Sequence, residues 1–124
     1  MYKKIVVYIA PCMLLSCYQK EQNCKDFKTG TFRFETTING KKAVTDFVRN
    51  DSIEIETYNG KTDTATVRWV SDCEYILQKK HPKNLSEEKA IDIKILSTDK
   101  NTYTFEYGIV GANKKERGFV TKLK

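Results

Sequence analysis

The chain is short of the residues from which most active sites are made. Among its 124 residues there are one histidine, one tryptophan and two prolines, and its six glycines never cluster. The single imidazole, His81, rules out the histidine clusters of catalytic metal centres. Joining it to Cys24 and Cys73 gives three ligands where a structural zinc site needs four, so no metal site is expected. Glycines 30, 40, 60, 108, 111 and 118 are spaced as turn and strand-end residues, which leaves neither a phosphate-cradling loop nor a nucleophile elbow. Also missing is the run of about 20 apolar residues that a membrane-crossing helix requires. The longest charge-free apolar stretch, residues 5–15, has 11 and contains Pro11. No internal repeat, low-complexity tract or second linker is present, and no segment has the length and period of a substantial helix.

What is there begins with a signal. Lys3 and Lys4 precede the apolar run, and charge returns only at Lys20 and Glu21, the order of a basic region and an apolar region in a secretory signal peptide. The run ends in Leu14, Leu15, Ser16 and Cys17 instead of an ordinary small-residue cleavage site. This ending resembles the bacterial lipoprotein signal, the lipobox, with Leu14 three before the cysteine and the small Ser16 immediately before it. The resemblance implies cleavage between Ser16 and Cys17 and lipid attachment at Cys17, where two or more acyl chains would hold the chain stably on a membrane. Residues 1–16 are then a signal peptide, residues 17–27 a lipidated N-terminus and polar tether, and residues 28–124 the folded domain. Lys20 and Glu21 also resemble the signal that sends some flavobacterial lipoproteins to the outer face of the outer membrane. The expected location is the bacterial outer membrane, on its periplasmic face or at the cell surface.

Removing residues 1–16 would leave 108 residues, enough for one domain, and would lower the formal charge from +6 to +4 because Lys3 and Lys4 leave with them. So small a chain buries a modest core and benefits from a covalent staple. With Cys12 cut away and Cys17 acylated, Cys24 and Cys73 remain, and an even remainder in an oxidising compartment suggests a disulfide. Closing a loop of about 50 residues would contribute roughly 4 kcal/mol on chain-entropy reasoning. The other use of Cys73, as a nucleophile, would need His81 as its base.

From Lys28 onward, short runs alternate between apolar and polar residues and break at turn residues, the pattern of an all-β domain. Phe32, Phe34, Thr36 and Ile38 share one face; Ala65, Val67 and Trp69 another; Ile91, Ile93 and Ile95 a third; Tyr103, Phe105, Tyr107 and Ile109 a fourth. In the third run, Ile53, Ile55 and Thr57 are expected to face the core and Glu54 and Glu56 the solvent. Asn39 with Gly40, and Asn59 with Gly60, are two-residue hairpin signals. Ser86, ahead of Glu87 and Glu88 in the longest connection, suits the cap of a single helical turn. About eight strands joined by tight turns are best satisfied by an antiparallel up-and-down meander closing into a small barrel, since closure removes exposed edges; a two-sheet sandwich is the alternative.

The order of "CKDFKTGTFRF", "RNDSIEIE", "VRWVSDCEYIL" and "YTFEY" along the chain is similar to a group of small flavobacterial lipoproteins of uncharacterised function. Some members carry the label DNA topoisomerase IV, for which these residues offer no physical support. Gly30, Thr31 and Phe32 resemble the Gly-x-Trp opening of lipocalin-like barrels, with Phe32 in place of the tryptophan.

No catalytic residue is assigned. Asp92, Glu106 and Glu116 are candidates for paired catalytic carboxylates, but Asp92 and Glu106 fall on the polar sides of their strands. Lys79, Lys80, His81 and Lys83 form one basic cluster, and Lys114, Lys115 and Arg117 another, suited to anionic headgroups. Sixteen acids balance the mature charge too closely for a nucleic-acid footprint, so no nucleic-acid partner is expected. The aromatic set Phe32, Phe34, Trp69, Tyr103, Phe105 and Tyr107 can line a cavity for a small apolar ligand or fill the barrel as core. So many bulky inward residues in a short barrel favour core. The expected function is a membrane-anchored, non-catalytic binding or accessory module of the cell envelope, without a cofactor. A structural or protein-interaction lipoprotein with an exposed apolar patch, and a hydrolase built on His81, are the alternatives.

Overall fold

The structure, a computed structural model, describes residues 22–124. The proposed signal peptide, Ser16, Cys17 and most of the tether lie outside the described residues.

Eight antiparallel strands follow one another around a closed barrel: β1 (Gly30–Ile38), β2 (Lys41–Arg49), β3 (Ile53–Tyr58), β4 (Lys61–Ser71), β5 (Glu74–Lys79), β6 (Ile91–Asp99), β7 (Thr102–Ile109) and β8 (Glu116–Lys122). Each strand pairs with the next in sequence, and β8 pairs with β1 through Phe32 opposite Lys122 and Phe34 opposite Val120. This is a small lipocalin-like barrel with almost no helix. Asn39 and Gly40 sit at φ 51° and 76°, and Asn59 and Gly60 at 49° and 73°, so both central residues of each hairpin are left-handed as the sequence requires. Between β2 and β3, the Asn50 side-chain oxygen accepts the backbone N–H groups of Ser52 and Ile53, each at 2.9 Å, and turns the chain. The segment with Ser86 forms turns and no helix; there it is Asn84 Oδ1 that accepts the Glu87 N–H, at 2.9 Å.

Alternate connections of such a barrel lie at opposite ends. The β2–β3, β4–β5 and β6–β7 turns share one end with the N-terminal segment, where Cys24–Phe27 forms a 3₁₀ turn. Here the tether expected over residues 17–27 needs correction, because Cys24 and Phe27 are buried and belong to the domain. A disulfide joins Cys24 to Cys73 in the β4–β5 turn, the Asn23 N–H donates to Thr98 Oγ1 at 2.8 Å, and Gln22 Nε2 donates to the Leu96 carbonyl at 3.0 Å. The 3₁₀ turn is a plug. Register shifts at Trp69/Ser71 and Ile95/Ser97 bend β4 and β6 near this plug.

Above the plug the barrel is filled. Phe32 stacks on Phe47 at 5.1 Å, Phe27 meets Tyr103 edge-on at 5.1 Å, and Phe34 meets Phe105 at 5.8 Å. Ile93, Ile95, Val67, Leu77 and Val120 complete a contiguous core. Gly118 has no room for a side chain because Phe105 and Phe34 cover it: a Cβ there would lie 2.9 Å from each ring. One strand departs from the expected facing. In β3 it is Glu54 that is buried, while Ile55 is 38 % exposed on the outer wall. The alternation was right and its phase inverted, because Arg49 inside the barrel needs a carboxylate opposite it.

Candidate functional site

Arg49 ends β2 with its side chain inside the barrel, directly across from Glu54 in the strand register. Its guanidinium donates to Glu54 Oε1 at 3.1 Å, to the Tyr75 hydroxyl at 2.8 Å, to the Lys28 carbonyl at 3.1 Å, to the Phe27 carbonyl, and at 3.5 Å to the Tyr103 hydroxyl. It also lies 4.6 Å from the ring centres of both Phe32 and Tyr75. Burial opposes the guanidinium charge, but Tyr75, Tyr103 and Glu54 outweigh it and hold Arg49 above its usual value. Burial likewise drives Tyr75 and Tyr103 up, and raises the Glu54 carboxyl to about 8 against the downward pull of Arg49. Nothing in this cluster reaches solvent. It locks the plug to the barrel wall and serves the fold.

Glu54 is the first of a column of charged side chains that climbs the inner wall. Glu56 follows on the same face of β3, close enough to Glu54 to help raise its pKa. Asp63 stands opposite Glu56 in the β3–β4 register. Lys79, from β5, then donates to Asp63 Oδ2 at 3.1 Å and to Glu87 Oε1 at 2.8 Å. Glu87 also accepts the Lys83 N–H at 2.7 Å, which pins the long β5–β6 connection across the rim. The hydrogen bond to Glu87 chiefly raises Lys79, and the one from Lys79 chiefly lowers Glu87.

These residues line the open end of the barrel, opposite the plug. A cavity of about 540 Å³ there is bounded by Phe34, Thr36, Ile38, Ala43, Thr45, Glu56, Tyr58, Asn59, Lys61, Thr62, Asp63, Lys79 and Lys83. A cleft of about 250 Å³ under the β5–β6 connection shares Glu56, Asp63 and Lys79 with it. The volume falls within the range of small-molecule sites, and the lining combines apolar walls with a few convergent polar groups.

The aromatic candidates divide. Phe32, Tyr103 and Phe105 are buried core, and Trp69 packs against that core between Tyr75, at 4.6 Å, and the Lys28 ammonium, at 5.2 Å. Only Phe34 reaches the main cavity, as part of its floor, while Tyr107 borders a separate hollow beside the β7–β8 connection and donates to Glu116 at 2.7 Å. His81 is exposed in the β5–β6 connection, and Cys73 is oxidised, so the two do not form a nucleophile and its base. Asp92 and Glu106 lie on the outer faces of their strands, and Asp92 stands near Glu74 and raises its carboxyl. The first basic cluster is broken up because Lys79 turns into the mouth; in the second, Lys114 pairs with Glu116 at 3.7 Å. Among the described residues no group of three or more acidic, cysteine or histidine side chains is arranged to hold a metal.

The sequence pattern does not single out Arg49 or Asp63; it sends Glu54 and Glu56 to the solvent and places Lys79 in a basic cluster. The one available signal was Arg49 two residues after Phe47, hence on the same face of β2 as an apolar residue. No family model, curated protein or solved structure matches the chain, so its functional reading rests on this geometry.

Proposed function

We propose that this protein is a membrane-anchored bacterial lipoprotein of the cell envelope whose barrel is a non-catalytic binding module, with its site in the open mouth. The observation that carries the reading is the asymmetry of the barrel: one end is plugged and stapled, and the other opens into a cavity of about 540 Å³. The Cys24–Cys73 disulfide supports export to an oxidising compartment. An anchor at Cys17 would enter the fold at the plug, six residues of tether before Cys24, and so the mouth would point away from the membrane. Its ligand would then come from the aqueous side.

The intact mass of the full-length protein, extracted from bacterial membranes with detergent after free thiols are blocked, tests the anchor. Loss of residues 1–16 with a gain of acyl mass and no thiol label is expected; an uncleaved chain would overturn it.

A second reading, a protein-interaction lipoprotein, is favoured by the outer wall of β2 and β3. There Val48, 53 % exposed, stands opposite Ile55 in register. In that case Ile55→Lys would abolish capture of an envelope partner without altering the mouth.

A further inference from the structure

The charged column inside the barrel does not balance. From plug to rim it runs Arg49, Glu54, Glu56, Asp63, Lys79, Glu87, four carboxyl groups against two cations. Arg49 is spent on Glu54, and Lys79 on Asp63 and Glu87. Glu56 is left: it borders both the main cavity and the adjoining cleft, forms no ion pair among the described residues, and has the carboxyl groups of Glu54 along its strand and Asp63 across the register as neighbours. Beside it lies an apolar surface of Phe34, Ile38, Ala43 and the Tyr58 ring, large enough for an aromatic or short alkyl group. At the rim, Lys61 and Lys83 border the same cavity without a side-chain ion pair.

We propose that the mouth takes a small amphipathic amine, its ammonium seated between Glu56 and Asp63 and its apolar body on Phe34, Ile38 and Tyr58. An ammonium supplies the cationic donor that Glu56 lacks and a second one to Asp63 beside Lys79, and removing it from bulk water is offset by charge-assisted hydrogen bonds. An isosteric carboxylic acid would place like charge against Glu56. A neutral alcohol would keep the apolar contact and lose the charge. This inference rests on the mouth being a binding site.

Calorimetric titration of the detergent-solubilised full-length protein with 2-phenylethylamine, 3-phenylpropionate and 2-phenylethanol, against a micelle blank, separates the two claims. The amine is expected to bind about tenfold more tightly than either isostere, the size of one hydrogen bond to a charged group. Glu56→Gln should remove that preference while leaving the alcohol's affinity unchanged. Asp63→Asn serves as the second variant should Glu56→Gln not fold, and should weaken the amine in the same sense. Equal binding of all three compounds, or preference for the acid, overturns the ammonium site and leaves the binding mouth standing. No binding of any of them overturns the ammonium site and counts against the binding mouth as well.

Discussion

A guanidinium enclosed by protein must find acceptors for five N–H groups and a counter-charge for one cation. Arg49 finds the Glu54 carboxyl, two backbone carbonyls and two phenol oxygens. Removing Arg49 alone leaves the Glu54 carboxyl and the other buried acceptors without their donor, which costs more than removing both partners. Arg49→Met is therefore expected to destabilise the barrel by about 3–5 kcal/mol in chemical denaturation. Adding Glu54→Leu should recover part of this, but not all, since the Phe27 and Lys28 carbonyls still lose their donor. The same pair sets a pH dependence. Burial raises the folded Glu54 carboxyl to about 8, above the ~4.3 of an unfolded glutamate, so its contribution is full in acid and is lost as pH rises through 8. Asp46 and Glu87 are lowered, by Arg33 and Lys79 respectively, and act with the opposite sign only below the usual carboxylate range. Melting temperature should thus fall between pH 5 and pH 9, and Glu54→Gln should flatten that fall. A wild-type profile that rises over this interval would contradict the assignment.

Among the elements, β3 shows where period and phase part company. Alternation of Ile53, Glu54, Ile55 and Glu56 reads the same from either side, and hydrophobicity alone sends the isoleucines inward. The neighbouring strand decides otherwise, because Arg49 is inside and lies opposite Glu54. Ile55→Thr, on the outer wall, should therefore cost no more than about 0.5 kcal/mol. Ile95→Ala, at a fully buried position of β6, should cost about 2–5 kcal/mol. Equal losses in urea denaturation would restore the inward phase. The other strands were legible because their apolar residues have no such competitor, and the two Asn-Gly hairpins were legible because few other dipeptides tolerate two left-handed residues in succession.

At the scale of the molecule, closure through β1 and β8 leaves no exposed sheet edge, and the 3₁₀ plug seals one end. The disulfide spans 49 positions and ties the plug to the β4–β5 turn, a stabilisation of up to roughly 4 kcal/mol on chain-entropy reasoning. Reduction should lower the urea midpoint accordingly while leaving far-ultraviolet circular dichroism β-rich, because the strand ladder does not depend on the bridge. Loss of the β signal on reduction at low urea would mean that the bridge is needed for closure. Since the core fills the lower barrel, a ligand of the proposed binding module would be confined to the mouth.

The sequence by itself determined the number of strands, their turns, the cysteine pair and most of the inward aromatic residues, because these follow from local φ/ψ preference, period-two burial and the count of thiols. Only the tertiary structure decided that Arg49 and Glu54 share the interior, that the aromatic set is chiefly packed core, and that residues 24–27 fold as a plug. It also placed Glu56, Asp63 and Lys79 around one cavity. Each of these depends on which strands become neighbours when the sheet curls shut, and the partners that lower the cost of burying a charge lie on other strands, out of reach of any local pattern.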